Sequence, residues 1–346
     1  MPLSSITAQL GEIREIAPNQ VRLDKDACLY PMSFAYDLEP LKASIREVGI
    51  VNPPILRFAN GESSGLQIIT GLKRVVAAQE MGLEKMVCRI LSPSQISRKQ
   101  ALLLAFYENL ACRQFNTVEK ALILTHLSEH FRTEDIINNF MVPLGLPRRQ
   151  QTYELYMEIE RKLPLNAKKA LARDKLNLKA AALLLTIEPE DIEILVNYGL
   201  RLKFNVNQFY EFIDIMIDLA SKHEKPIDSI LKSKDILSII DNPIDNMPQK
   251  ANKVLQVLRR IRYPVVTQTE ERLRQRIRAL TLPKGARFIL PRFLEDSEYK
   301  LEIRFKNATV LKESIRKTWE ACKSLSLEAP LLEALNLGSK SEGHEI

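Results

Sequence analysis

The run Gln67-Ile68-Ile69-Thr70-Gly71-Leu72-Lys73-Arg74-Val75-Val76-Ala77-Ala78 changes its hydrophobic period part-way along. Gln67 to Thr70 reads as the end of a strand, whereas Val75, Val76 and Ala78 fall on helical spacing. Gly71 therefore stands where a strand becomes a helix, and the first backbone N–H groups of that helix have no intrahelical partner. Such a junction suits an anion. A glycine lets a ligand approach the backbone, the helix dipole favours negative charge, and Arg74, one turn in, can reach the same phosphate or carboxylate. A second group follows at Glu108-Asn109, with Arg113 close behind. A carboxylate and an amide oxygen are ligand types that Mg2+ accepts when phosphate oxygens complete its shell.

The elements needed to position these residues are legible around them. Leu38, Leu41, Ile45 and Val48 mark one face of a short helix ending at Gly49. Residues 53–57 follow as a strand, and a turn over residues 60–65 makes a hairpin that delivers the chain to Gly71. A helix from Leu72 to about Met81 ends at Gly82, Met86 to Ile90 is a further strand, and Ser97 to Leu110 is a helix with Glu108 and Asn109 near its end. Further upstream, Glu12 to Leu23 is compatible with an N-terminal strand and a turn at Pro18-Asn19-Gln20.

Taken in order, Ser44-Ile45-Arg46-Glu47-Val48-Gly49 with Pro53, then Thr70-Gly71-Leu72-Lys73-Arg74 with Ala77-Ala78, then Glu108-Asn109 with Asn116, Glu119 and Ala121, resemble the successive boxes of the ParB family. The resemblance covers about residues 10 to 165 and fades through about residue 215. It implies a ParB/sulfiredoxin-like domain that binds CTP with Mg2+. Ser44, Thr70, Gly71, Arg74, Glu108, Asn109 and Arg113 are then the candidate cofactor-binding residues, with Glu108 and Asn109 on the metal. Two departures matter. Leu72 stands where the family usually has a glutamate, and Cys112 where it has an arginine, with Arg113 one place later. No catalytic residue is assigned, and CTP hydrolysis is expected to be slow or absent. Sulfiredoxins share this fold and place a catalytic cysteine in the glycine-arginine box; none stands in that box here.

Composition bounds the wider reading. The 346 residues are enough for two or three domains. Apolar runs such as 101–106 and 180–187 are too short to span a membrane, and the first residues lack signal-peptide design, so a cytoplasmic protein is expected. The four cysteines, Cys28, Cys88, Cys112 and Cys322, show no CxxC spacing, and buried free thiols are the default. A net charge of +7 is mild evidence for a polyanionic partner.

From Thr117 the chain reads as nearly all helical. Asn116 with Glu119 makes a capping box for a helix to about Phe131. Thr133-Glu134-Asp135 opens the next helix, residues 143–146 break it, and Pro147 is expected at the first position of a third helix ending before Pro164. Helix, glycine-bearing turn, helix is the layout of a DNA-reading unit. Arg148, Arg149, Gln150, Gln151 and Thr152 at the head of the third helix are the candidate base-edge contacts. His126 and His130 are read as a solvated helix face, since no third metal ligand is near. Apolar stripes between Leu165 and Ile240 are read as core.

Residues 241–250 read as a linker. Beyond it, a helix from Glu270 to Leu280 carries Arg272, Arg274, Arg276 and Arg278, which spread around its surface because a step of two residues turns by about 200°. Arg274 and Arg278 are candidate phosphate contacts to DNA. Residues 287–290 and 299–305 read as two strands about a polar turn, and Ala308 to Ser324 as a helix.

The expected fold class is α+β and mostly helical. It comprises a ParB-like nucleotide-binding domain over 1–115, an all-helical DNA-binding domain with a helix-turn-helix over 116–240, and a small basic α+β domain over 251–337, before a tail at 338–346. The resemblance implies a CTP-gated homodimer acting on double-stranded DNA in plasmid or chromosome partition, with a partition ATPase as partner, or in transcriptional control. Two rivals stand beside it: a nuclease or nucleotide-dependent kinase on the same fold, and a DNA-binding regulator that uses no nucleotide.

Overall fold

The computed structural model describes residues 11–23, 27–59, 65–290 and 298–323. Its chain contacts fall into two compact units, divided between residues 214 and 215 rather than in the 241–250 stretch.

The first unit opens on a four-stranded sheet. Its strands are β1 (Glu12–Ile16), β2 (Ile55–Phe58), β3 (Leu66–Thr70) and β4 (Met86–Leu91), ordered β1-β4-β2-β3. β1 and β3 run antiparallel to their neighbours, while β2 and β4 are parallel. The turn expected between β2 and β3 lies outside the described residues. Helix α1 (Glu39–Val48) stops at Gly49, whose φ of 72° is the left-handed conformation that ends helices and favours glycine. Helix α2 (Leu72–Glu80) packs beside α1. Leu56, Ile68, Val75, Ala78, Met86, Cys88 and Ile90 close a core between sheet and helix.

Helix α3 (Arg98–Cys112) begins at a capping box between Ser97 and Gln100 and lies against β3. It runs two residues past the expected end at Leu110, so Glu108 and Asn109 sit inside its last turn. Five helices follow α4 (Thr117–Ser128): α5 (Thr133–Asn139), α6 (Gln150–Lys162), α7 (Leu165–Ala172), α8 (Leu178–Leu184) and α9 (Pro189–Arg201). The capping box of Asn116 and Glu119 is present as expected. The third helix differs. Pro147 is not its first residue, because the Arg149 N–H donates to the Pro147 carbonyl at 2.8 Å and the helix starts only at Gln150. Leu144 and Leu146 bury themselves ahead of that turn and hold the chain there.

Helix α10 (Val206–His223) contains the division point. The second unit continues with α11 (Ile227–Leu231), α12 (Lys234–Ile240), α13 (Met247–Arg262) and α14 (Pro264–Ala279). The stretch read as a linker is shorter than expected, because Asn246 and Gln249 form a capping box that starts α13. Helix α14 also begins earlier than expected, with Pro264 in its first turn. Strands β5 (Ala286–Ile289) and β6 (Lys300–Ile303) pair antiparallel, and α15 (Ala308–Cys322) follows. The turn between these strands and the tail at 338–346 lie outside the described residues. No described helix is long and apolar enough to cross a membrane.

Phe106 ties the sheet-bearing part of the first unit to its helices. Its ring is fully buried and meets the Phe140 ring edge-on at 5.6 Å. Replacing Phe106 by alanine is expected to cost about 3–5 kcal/mol of stability, read as a lower denaturant midpoint of the first unit. A loss below about 1 kcal/mol would show that α3 is not part of that core.

Candidate functional site

Gly71 takes φ 90° and ψ 20° immediately before α2. A side chain there would place its Cβ 2.7 Å from Pro54 Cβ and 2.9 Å from Pro54 Cα, closer than such atoms approach. Only glycine combines the left-handed backbone with that contact. The turn aims the start of α2 into a cleft of about 350 Å³. By helical geometry the N–H groups of Leu72 and Lys73 have no partner within α2 and contribute its positive pole.

All seven residues singled out for a cofactor line this one cleft. Ser44 comes from α1, Thr70 and Gly71 from the end of β3, Arg74 from α2, Glu108 and Asn109 from α3, and Arg113 from just beyond it. Arg74 donates from Nη1 to the Asn52 carbonyl at 2.5 Å and from Nη2 to Glu108 Oε1 at 2.8 Å. Both side chains of this ion pair keep some solvent exposure, 20% and 28%, so screening holds its worth to about 1 kcal/mol. A polyphosphate bringing several charge-assisted hydrogen bonds, each contributing about 1.5–3 kcal/mol, outweighs it. The Thr70 hydroxyl lies at the end of β3, where that strand meets the cleft. It is buried, with no hydrogen-bond partner. Such an orphan costs about 1–3 kcal/mol unless something supplies the missing bond.

Lys73 also lines the cleft, over the Tyr36 ring at 4.9 Å. Burial lowers its pKa, the Arg113 charge acts the same way, and Glu119 opposes them. An anion seated in the cleft reverses that shift. Sequence reasoning did not single out Lys73, although its place in the glycine-arginine box was a signal. Among the described residues no three histidine, cysteine or carboxylate side chains gather to hold a metal unaided. Glu108 and Asn109 fit a divalent ion that takes its remaining ligands from phosphate and water.

Arg113 is held from several sides. It donates to Asn109 Oδ1 at 3.1 Å, Glu119 Oε2 at 2.8 Å, Ser33 Oγ at 3.1 Å and the Met32 carbonyl. Its guanidinium also lies over the Phe115 ring at 4.7 Å. Glu119 is 3% exposed yet satisfied, accepting in addition from the Phe34 and Asn116 N–H groups. His126 and His130 are not the solvated face read from sequence. The Tyr30 ring meets both edge-on, at 5.4 and 5.8 Å, and its hydroxyl lies 2.6 Å from His130 Nε2. The thiols correct another expectation: Cys88 is buried, but Cys112 is exposed and Cys28 and Cys322 are half-buried. Burial pushes the Cys28 pKa to about 11 and that of Cys88 to about 12, so neither is a thiolate at neutral pH.

The second constellation sits at the head of α6. Tyr153, Tyr156 and Ile159 bury one face of that helix, and α6 packs against α4. Arg148, Arg149, Gln150 and Gln151 are exposed, and Thr152 is half-buried. Because the helix starts late, Arg148 lies in the preceding turn and Arg149 is the N-cap. In the second unit Arg274 and Arg278, four apart on α14, share a groove of about 370 Å³ with Arg287 and Phe288. Ion pairs from Glu270 to Arg274 and from Glu271 to Arg260 offset part of the local positive charge.

The sheet, the glycine turn and the cleft define an α+β domain with a helix start facing the cleft, followed by a helical region. Residues 4–110 match the family model of the ParB N-terminal domain. It is 34% identical over 94 residues to a probable chromosome-partitioning protein ParB of Vibrio cholerae, covering 27% of this chain and 30% of that one. It is 37% identical over 117 residues to a probable plasmid-partitioning protein ParB of Thermus thermophilus, covering 33% and 37%. These matches span about a third of the relatives' own length. A solved structure of C-terminally truncated ParB from Caulobacter crescentus, complexed with CTP-gamma-S, is similar over 54% of this chain and 98% of that one, at 24% identity and a TM-score of 0.25.

Gly71→Ala is expected to destabilise the domain by more than about 1 kcal/mol, since it adds a left-handed alanine to a backbone contact that cannot yield. Thermal melting reads this. An unchanged melting temperature would mean that the turn relaxes without cost.

Proposed function

We propose that this chain is a nucleotide-gated, ParB-like DNA-binding protein of plasmid or chromosome partition. The carrying observation is the single cleft in which Thr70, Gly71, Arg74, Glu108 and Asn109 converge, with a buried Thr70 hydroxyl lacking a partner. CTP with Mg2+ is its ligand in this reading. The start of α2, Lys73 and Arg74 receive the phosphates, and Glu108 with Asn109 holds the ion against them. Glu108 and Asn109 would hold the ion, and Arg74, which pairs with Glu108 in this structure, would be released to the phosphates. Bound Mg2+ would neutralise phosphate charge; with Leu72 in place of a carboxylate, no side chain at the second position of the box orients a water.

The partition role is supported by the names of relatives that share the N-terminal third. A homodimer, a partition ATPase partner and a cytoplasmic setting belong to the same reading, with transcriptional control as the other use of such binding. The α5 and α6 pair is the DNA reader: the α6 head presents exposed Arg149, Gln150 and Gln151 in types suited to guanine and adenine edges. A nucleotide-independent regulator is the second reading, favoured by the Arg74–Glu108 pair that already occupies both side chains.

Calorimetric titration with the four nucleoside triphosphates and Mg2+ tests the ligand. CTP is expected to bind tightest, Arg74→Ala to weaken it by about 2 kcal/mol or more, and phosphate release to be slow or absent even with DNA. Equal weak binding of all four, or an Arg74→Ala variant that binds like the parent, overturns it. Vigorous CTP turnover would assign the missing function to another residue.

A duplex selected from a random pool tests the DNA face. Arg149→Ala with Gln150→Ala is expected to flatten the preference for that duplex, by about 1–3 kcal/mol per lost contact, with salt sensitivity nearly intact. Arg274→Ala with Arg278→Ala is expected to weaken all duplexes alike and lower the salt slope. If the α14 changes alone abolish preference, α6 is not the reader.

A further inference from the structure

Residues 30–34 connect the cleft to α4 at both ends of that helix. Tyr30, Met32 and Ser33 line the cleft. At one end the Tyr30 hydroxyl meets His130, just past α4, with its ring against His126. At the other, the Phe34 N–H donates to Glu119 in the first turn, and Asn116 Nδ2 donates back to the Phe34 carbonyl at 3.2 Å. The segment runs antiparallel to α4, with Tyr30 beyond the end of that helix and Phe34 at its first turn. It ends at Ala35, a non-glycine residue with a left-handed φ of 54°. A wall anchored at both ends of α4 passes a displacement on its cleft side to those anchors.

Arg113 sits where cleft, wall and helix meet. Its hydrogen bonds go to four residues: Asn109 of α3, Met32 and Ser33 of the wall, and Glu119 of α4. Little donor capacity remains for a ligand, in contrast to Arg74, whose side-chain partner is the partly exposed Glu108. We propose that Arg113 is a positioning residue rather than a phosphate ligand, clasping residues 32–34 to the first turn of α4 so that filling the cleft also moves α4 and the α6 packed on it. This role rests on the nucleotide-gated reading above. Met32, Ser33 and Asn109, which Arg113 holds, line the cleft with it. A movement of the Asn109 side chain would be carried by its hydrogen bond to the guanidinium and through it to Glu119. Tyr30 is the second anchor, which keeps the far end of the wall from swinging free.

The test uses the full chain and two readouts: CTP affinity with Mg2+ by calorimetry, and affinity for the selected duplex by fluorescence anisotropy, each with and without nucleotide. Arg113→Ala is expected to lower CTP affinity by less than about 10-fold, while the ratio of duplex affinities with and without CTP falls to near 1. Arg113→Lys, which keeps the charge and single hydrogen bonds, recovers part of that ratio, and Tyr30→Phe reduces it. Should Arg113→Ala fail to fold, the lysine and Tyr30→Phe variants carry the same comparison. Loss of CTP binding in Arg113→Lys to the extent seen for Arg74→Ala makes Arg113 a ligand and overturns the proposal. A responsive parent with equally responsive variants overturns it as well and leaves the gating reading intact. A parent whose duplex affinity ignores CTP overturns the gating reading, and the clasp with it.

Discussion

The close approach of Pro54 to the backbone at Gly71 is the constraint on which the site depends. β2 and β3 lie side by side, and the residue leaving β3 must turn at once into α2 while passing within van der Waals contact of the proline that enters β2. That geometry admits no side chain, and it fixes where the first N–H groups of α2 point. The Arg74 guanidinium is then carried over the cleft by one turn of helix, and α3, packed on β3, brings Glu108 to meet it. Each later feature of the cleft inherits its position from this turn.

Electrostatics in the cleft are poised rather than saturated. Arg74 and Glu108 neutralise one another, Arg113 is matched by the buried Glu119, and Lys73 is left half-buried with a lowered pKa. A half-buried ammonium whose pKa is lowered chiefly by burial is costly, as is the buried Thr70 hydroxyl. An anion in the cleft would offset the cost at Lys73. The pairs differ in what they do: one is accessible and exchangeable, the other is enclosed by hydrogen bonds and joins elements.

Much of this was legible in the sequence because the motifs are local. Gly71, Arg74, Glu108 and Asn109 could be picked from the change of period and the order of short boxes, and the capping residues Asn116 and Glu119 from their spacing. What was not legible is non-local. Nothing near Tyr30 announces that its hydroxyl will meet a histidine one hundred residues later, so His126 and His130 read as a solvated face. Pro147 looked like a helix start because proline favours that position; the buried Leu144 and Leu146 hold the turn and delay the helix to Gln150. Helix α14 was read short since only Thr269 and Leu273 of its face are buried, too few to mark a period.

The central claim is that the turn at Gly71 and the start of α2 receive a nucleotide. Hydrogen–deuterium exchange of the full chain with CTP and Mg2+, against the chain alone, tests it most directly. The account predicts slowed exchange at the amides of residues 71–74 and, with it, in residues 30–34, because both form walls of one cleft. Slowed exchange confined to residues 274–290, or no change at 71–74 under saturating CTP, would contradict it.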